Sequence, residues 1–298
     1  MVTIKRRVIG KQTYFYLEHN IRKNGRIEKR EKYLGKKIPD DIEKIKSQFL
    51  SGIYQEKWYP VLDRIKEGFS REIKKMPEFA KEKETETFMI RFTYDTQRIE
   101  GSKLTLRETD ALLKEGITPR EKPIKDVKEA EAHKGIFYEM INYKKDLSMQ
   151  AVLHWHAKLF ENTKPEIAGR IRKHQVAISG SKFMPPFPAE VYPLLQEFFR
   201  WYDKSKKNLH PVELSALVHL KFVTIHPFSD GNGRTTRLMM NFVLKKNGFP
   251  LLNIPYEKRS SYYNALERSQ VKREDGIFLN WFFRRYVKEQ RRYLKSRT

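Results

Sequence analysis

The sequence predicts a mainly α protein with a small β-meander at its N-terminus. From Pro39 onward, apolar residues recur at helical spacing between capping signals. Ahead of it, Thr13-Tyr14-Phe15-Tyr16-Leu17 is a run of strand formers, and Asn24-Gly25 is a strong hairpin turn. At 298 residues the chain can bury a substantial core, in one large domain or two smaller ones.

The elements follow in order. Thr3 to Ile9 reads as a strand turning near Gly10-Lys11, and Arg26 to Tyr33 alternates back after the second strand. Residues 1–38 are expected to form a separate basic extension, since positions 1–37 hold twelve Lys/Arg against three acids. A basic hairpin with Tyr14, Tyr16 and Tyr33 interleaved can bind nucleic acid, act as a dimerisation arm or cover a helical core. Pro39-Asp40-Asp41 starts the helices, with acids in the first turn. Expected spans are 40–53, 56–78, 84–99, 105–115, 124–144, 148–160, 189–204, 211–225, 233–247, 259–269 and 276–295. The fourth opens with a capping box, Thr105 and Glu108. Trp281 to Thr298 reads as a basic helix with an aromatic stripe, a packing face rather than a membrane anchor. No fixed-period repeat or low-complexity linker interrupts the chain.

Composition narrows the classes. Lys and Arg number 61 against 37 acids, a net charge of +24. That field favours nucleotides, acidic protein surfaces, nucleic acid or anionic lipid. Cysteine is absent, which excludes disulfides and thiolate metal sites and fits a reducing cytosol. No apolar run reaches a membrane span and no signal-peptide core is present, so a cytoplasmic, membrane-free protein is expected. His154 and His156 point to opposite sides of a helix, and His210 and His219 lack acidic partners. All four read as satisfied structural histidines.

The chemistry concentrates in His226-Pro227-Phe228-Ser229-Asp230-Gly231-Asn232-Gly233-Arg234-Thr235-Thr236-Arg237. Apolar helical runs, Leu214 to Ile225 and Leu238 to Leu244, flank it. Gly231-Asn232-Gly233 therefore sits where a loop becomes a helix N-terminus, which gathers free N–H groups and attracts anions. Asp230 can hold Mg²⁺, Arg234 and Arg237 are spaced to reach one polyphosphate, and His226 can accept a proton near neutral pH. A metal-bound nucleoside triphosphate fits this set better than a small carboxylate.

These residues resemble the Fic family motif His-x-Phe-x-(Asp/Glu)-Gly-Asn-Gly-Arg-x-x-Arg at every fixed position. The resemblance extends over roughly residues 55 to 285. It implies a Fic-type helical bundle with a β-hairpin flap, the Fic core lying at about 84–250, an inhibitory helix near 84–101 and further helices at 251–298. The related Doc kinases have lysine in place of the second glycine, so Gly233 points to the nucleotidyl-transferring branch. The implied activity is transfer of AMP from ATP to a Ser, Thr or Tyr hydroxyl of a protein, including itself. By that analogy His226 deprotonates the hydroxyl and Asp230 holds Mg²⁺. Gly231, Asn232 and Gly233 cradle phosphate oxygens, and Arg234 and Arg237 clamp the β/γ end.

Three further segments resemble family features. Thr96-Gln97-Arg98-Ile99-Glu100-Gly101 is similar to the inhibitory motif (Ser/Thr)-x-x-x-Glu-(Gly/Asn), implying that Glu100 pairs with Arg237 in a class II, self-inhibited member. Gly169 to Ser181 is similar to the flap, with Val176, Ala177, Ile178, Ser179, Gly180 and Ser181 expected to hold a target protein as an added strand. Val176 and Ile178 alternate as in a strand, and Met184-Pro185-Pro186-Phe187-Pro188 stops regular structure. Arg259 to Leu266 resembles the adenine-side helix, placing Tyr262, Tyr263 and the later Gln270 near the nucleoside. The resemblance also implies a homodimer. Two other activities are open: hydrolytic removal of AMP from a modified protein with Glu100 orienting water, and nucleic-acid binding through residues 1–38.

Overall fold

The computed structural model describes residues 2–23 and 26–295. The expected Asn24-Gly25 turn and residues 296–298 lie outside them. The chain divides into two compact units, Met1–Asp63 and Arg64–Thr298.

The first unit holds β1 (Thr3–Ile9), β2 (Gln12–Lys23), β3 (Arg26–Gly35) and α1 (Ile42–Lys57). The strands form one antiparallel sheet in the order β1-β2-β3, so the expected meander is present. Arg7 lies opposite Tyr14 and Tyr16 opposite Tyr33. Alternation then puts Arg7, Tyr14, Tyr16, Glu18, Lys29, Glu31 and Tyr33 on one face. Leu17 and Ile21 are buried on the other. The Arg7 guanidinium stacks 4.5 Å over the Tyr16 ring. Arg7 and Lys29 are both ion-paired to Glu31, at 3.1 and 2.8 Å, so part of the face's positive charge is neutralised in place.

α2 (Tyr59–Lys75) begins in the first unit and ends in the second. The second unit continues with α3 (Glu78–Ile99), α4 (Leu106–Glu115), α5 (Ile124–Asn142), α6 (Met149–Phe160), α7 (Pro188–Ser205), α8 (Pro211–Ile225), α9 (Asn232–Lys246), α10 (Arg259–Lys272) and α11 (Asp275–Glu289). One boundary differs markedly from the sequence reading. α2 stops at Lys75, because the residue before Pro77 is biased away from helical geometry, and α3 restarts at once behind that proline rather than at 84. The capping box of α4 is formed, with Glu108 N donating to Thr105 Oγ1 at 3.2 Å and Thr105 N to Glu108 Oε2 at 2.8 Å.

α8 is apolar on nearly all sides and buried from Val212 to Leu220, as a central helix must be. It packs on α9, with α7 and α11 against α8, and α3, α5 and α6 against α9. Phe92, Phe137, Trp155, Phe160, Phe222, Phe228 and Phe242 fill the space between them. The α8–α9 corner, which carries the motif, is therefore fixed by this aromatic core. Among the described residues no helix is long and apolar enough to cross a membrane.

Candidate active site

α8 ends at His226, whose backbone adopts φ 51° and ψ 58°, a left-handed conformation costly for a non-glycine residue. Arg172 holds it there. Its Nε donates to the His226 carbonyl at 2.8 Å, NH1 to the His174 carbonyl at 3.0 Å and NH2 to the Pro186 carbonyl at 2.6 Å. The Arg172 backbone N–H donates to Pro227 O at 2.9 Å. One buried guanidinium thus ties the motif loop to both arms of the flap. His226 Nδ1 lies 3.3 Å from the Val223 carbonyl, an obligate acceptor. The proton is then on Nδ1, and Nε2 keeps its lone pair. Burial lowers the His226 pKa, with Arg172 adding to the shift and the Val223 carbonyl opposing it.

The loop beyond His226 is folded by its own side chains. Asn232 accepts from Phe228 N at 2.9 Å and donates to Phe228 O at 2.8 Å, so its amide faces the loop interior rather than open space. His156 stacks on Phe228 at 3.7 Å. Its Nε2 donates to the Asp230 carbonyl at 3.0 Å and its Nδ1 accepts from Gly169 N at 2.9 Å. This is the satisfied structural histidine expected from sequence. Burial pushes its pKa down to about 4. Gly231 has φ 78°, and any side chain there would collide with the Phe160 ring.

The two motif arginines turn to different partners. Arg237 is 1% exposed. Its Nε donates to Thr96 Oγ1, its NH2 to Thr96 O at 3.2 Å and Glu100 Oε1 at 2.6 Å, and its NH1 lies 3.4 Å from Tyr262 Oη. Thr96 in the last turn of α3 and Glu100 at its C-cap are four apart, and both reach the guanidinium. Gly101, at φ 99°, then ends α3, with Ser102 N returning to Gln97 O at 3.0 Å and Gly101 N to Arg98 O at 3.1 Å. Arg234 points inward instead. It pairs with Glu129 of α5, donates to Gln97 Oε1 at 3.1 Å and Asp230 Oδ1 at 3.0 Å, and lies 4.7 Å over the Phe160 ring.

α9 starts at Asn232 without a side-chain cap. The Glu100 carboxylate lies against that helix start, because a side chain at Gly233 would collide with Glu100 Oε1 and reach within 3.0 Å of Arg237 NH1. An anion therefore already sits where the N-terminus of α9 favours one.

Asp230 binds cations. Oδ2 pairs with Lys164, and Oδ1 accepts from Arg234 and from Gly231 N at 2.5 Å. Burial raises its pKa, but Arg234 and Lys164 outweigh that and leave it at about 2. Among the described residues no group of three or more His, Asp or Glu gathers around one point. Mg²⁺ needs no such cluster when phosphate oxygens complete its shell, so a single ionised carboxylate such as Asp230 could hold it.

The remaining expected residues are spread around this centre. Tyr262 is buried, donating to His219 Nε2 at 2.9 Å while facing Arg237. Tyr263 is 42% exposed, with its hydroxyl 3.4 Å from Ile99 O. Gln270 donates to Thr224 Oγ1 at 3.2 Å. In the flap, Ser181 N closes a turn on Ile178 O at 3.0 Å around Gly180, whose φ is 73°. The expected β-hairpin ladder is not formed among these residues; the segment 173–187 contains no strand. Pro185 and Pro186 in the returning arm have no N–H to donate. Gln175 Nε2 bridges the arms to Pro185 O at 3.0 Å, and Glu267 of α10 accepts from Lys182 N at 3.1 Å.

Arg172, Lys164 and Glu129 have clear structural parts that sequence reasoning did not assign. Arg172 lies within the flap-like segment Gly169 to Ser181, but nothing local marks a buried arginine. Glu129 and Lys164 belong to no motif.

A family model described as Fic/DOC family matches residues 146–244. Protein adenylyltransferase fic-1 of Caenorhabditis elegans is 35% identical over 187 residues, 61% of this chain and 36% of that protein. The chain thus spans about a third of the length of the curated relatives it matches. Among solved structures, residues 134–508 of Fic-1 from C. elegans superpose with a TM-score of 0.70 at 26% identity, covering 85% of this chain and 76% of that one. A Fic domain containing signaling protein from Bacteroides thetaiotaomicron gives 0.68 at 27%, covering 78% and 97%. The α8–α9 loop with its full motif lies inside residues 146–244, the stretch that is similar to the Fic/DOC family.

Proposed function

We propose that this domain transfers AMP from ATP to a hydroxyl of a protein, its own chain included, and that Glu100 holds the reaction off. The observation that carries the proposal is the Glu100–Arg237 pair, 2.6 Å apart at the uncapped start of α9. A carboxylate there pairs with a buried guanidinium and lies beside the helix N-terminus, the two groups a triphosphate needs. The adenylyltransferase names of the relatives supply the reaction class.

In this reading His226 Nε2 takes the hydroxyl proton. The acceptor oxygen forms a bond to the α-phosphorus as the bond to the pyrophosphate oxygen breaks. The amides of Gly231, Asn232 and Gly233 receive phosphate oxygens, and Arg237, once released by Glu100, receives the terminal phosphate. Arg234 fixes Asp230. Asp230 would hold Mg²⁺, which neutralises phosphate charge when bound. Tyr263, with its exposed ring, is better placed than Tyr262 to meet the nucleoside. The backbone of Val176 to Ser181, which forms no strand of its own, is the docking edge for the target segment.

Intact-mass measurement after incubation with Mg²⁺-ATP tests this. Glu100→Gly should gain one AMP moiety and Glu100→Gly/His226→Ala none. Labelling that persists without His226, or a wild-type chain labelled as fast as Glu100→Gly, would remove the assignment.

A further inference from the structure

Asp230 carries a cation of the protein's own on the oxygen that a metal would need. We infer that Lys164 is a resident counter-ion of Asp230 that a divalent cation must displace, a second brake on nucleotide loading that is independent of Glu100. The inference rests on the proposed use of Asp230 as the metal-holding carboxylate.

Three groups occupy Asp230, and they differ in freedom. Gly231 N is backbone. Arg234 is 3% exposed and clamped by Glu129, Gln97 and the Phe160 ring. Lys164 follows α6 on a connecting segment, its side chain is about a third exposed, and it reaches Oδ2 through a flexible four-carbon stem. Of the three, Lys164 is the group able to leave. It also has a place to go, since Glu129 Oε1 is 3.7 Å from its ammonium. That oxygen accepts from Thr163 Oγ1 at 3.3 Å and so stays in position. The Phe160 ring, 5.1 Å from Nζ, lies beside both positions and steadies the charge between them.

A divalent ion and an ammonium repel strongly when they share one carboxylate oxygen. Binding the ion therefore includes the cost of breaking the Lys164–Asp230 pair. The Glu129 alternative returns part of it. Glu100 acts through Arg237 and the start of α9, so the two restraints are removed by separate substitutions.

Electron paramagnetic resonance titration with Mn²⁺ measures the effect directly, on the full chain carrying Glu100→Gly and saturated with a non-hydrolysable ATP analogue. Lys164→Met should tighten Mn²⁺ about three- to tenfold, the scale of a partly exposed ion pair. Lys164→Arg keeps the charge and should bind Mn²⁺ as the parent does. Unchanged affinity in Lys164→Met would overturn the inference, as would equal tightening in both variants, which would assign the effect to shape rather than charge. Asp230→Asn separates the two levels of the argument. Mn²⁺ affinity unchanged by Asp230→Asn would overturn the metal assignment and the inference together, whereas affinity weakened in Asp230→Asn but indifferent to Lys164 would overturn the inference alone.

Discussion

Glu100 and Arg237 are 137 positions apart in sequence, yet Glu100 Oε1 accepts from Arg237 NH2 at 2.6 Å over the first turn of α9. The contact joins the end of one helix to the start of another. Arg237 is otherwise satisfied by Thr96 and Tyr262, so Glu100 is the removable part of its environment.

Replacing Glu100 by glycine should therefore do two opposite things. Nucleotide affinity rises, by about tenfold or more, because a buried guanidinium and a helix start lose their internal anion. Stability falls by about 1–2 kcal/mol, because Arg237 keeps its charge with one hydrogen bond fewer. Isothermal titration with an ATP analogue and a denaturant melt read the two effects separately. A variant that is less stable without binding nucleotide better would mean that the pair is structural.

Much of the site was legible because its logic is local. The two glycines mark a loop entering a helix, whereas Thr96 and Glu100 were singled out by family resemblance. The pairing across 137 positions came from family resemblance, as periodicity has no reach over that distance. Buried charge was the least legible. Arg234 and Arg237 are three apart and look equivalent in sequence. The acceptors around them decide their directions, Glu129 on α5 for one and Thr96 on α3 for the other. Arg172 and Lys164 were unreadable for the same reason, since their partners come from other elements. The flap shows the converse. Its alternation suggested a strand, but two prolines in the returning arm remove the donors a ladder requires.

Three buried histidines make acid a destabiliser. His156 is held at about 4, and His133 and His219 at about 3, all chiefly by burial. In the unfolded chain each titrates near 6.5. Between these values the unfolded state binds protons that the folded state does not, so stability rises with pH. It is fully present above about 6.5 and is lost as pH falls toward 4, with His156 alone contributing up to about 3 kcal/mol. Denaturant midpoints measured from pH 7.5 to 4.5 should decline continuously. His226 is lowered too, so labelling by Glu100→Gly should fall off at a more acid pH than an unperturbed imidazole would set.

Arg172 should prove irreplaceable by lysine. Three carbonyls, those of His226, His174 and Pro186, converge on its fork, and a single ammonium cannot meet all three in that geometry. Arg172→Lys should reduce labelling in the Glu100→Gly background about tenfold or more and make the segment 173–187 more sensitive to protease. Unchanged cleavage with lowered labelling would place its effect on His226 alone.

The Arg234–Glu129 pair, 3% and 8% exposed, is buried enough for its two halves to behave unequally. Glu129→Gln should destabilise by about 3 kcal/mol or more, because it leaves Arg234 charged in the core. Removing both charges, as Arg234→Met/Glu129→Met, should recover part of that loss in a urea melt while abolishing labelling, since Asp230 then loses its fixed partner.

Gly233 allows the arrangement to be tested without touching a charge. A methyl group there would collide with Glu100 Oε1 and approach Arg237 NH1 to 3.0 Å. Gly233→Ala should cost about 1–3 kcal/mol in the wild-type chain. If the collision is with Glu100, the cost shrinks in Glu100→Gly, giving a coupling energy of about 1 kcal/mol or more in a double-mutant cycle. Activity should not follow stability. The methyl group stands where phosphate oxygens must approach α9, so Glu100→Gly/Gly233→Ala should be stable yet weak in nucleotide binding. Additive stability changes, or a double variant that binds nucleotide as well as Glu100→Gly, would show that the carboxylate and the phosphate do not compete for the same few ångströms.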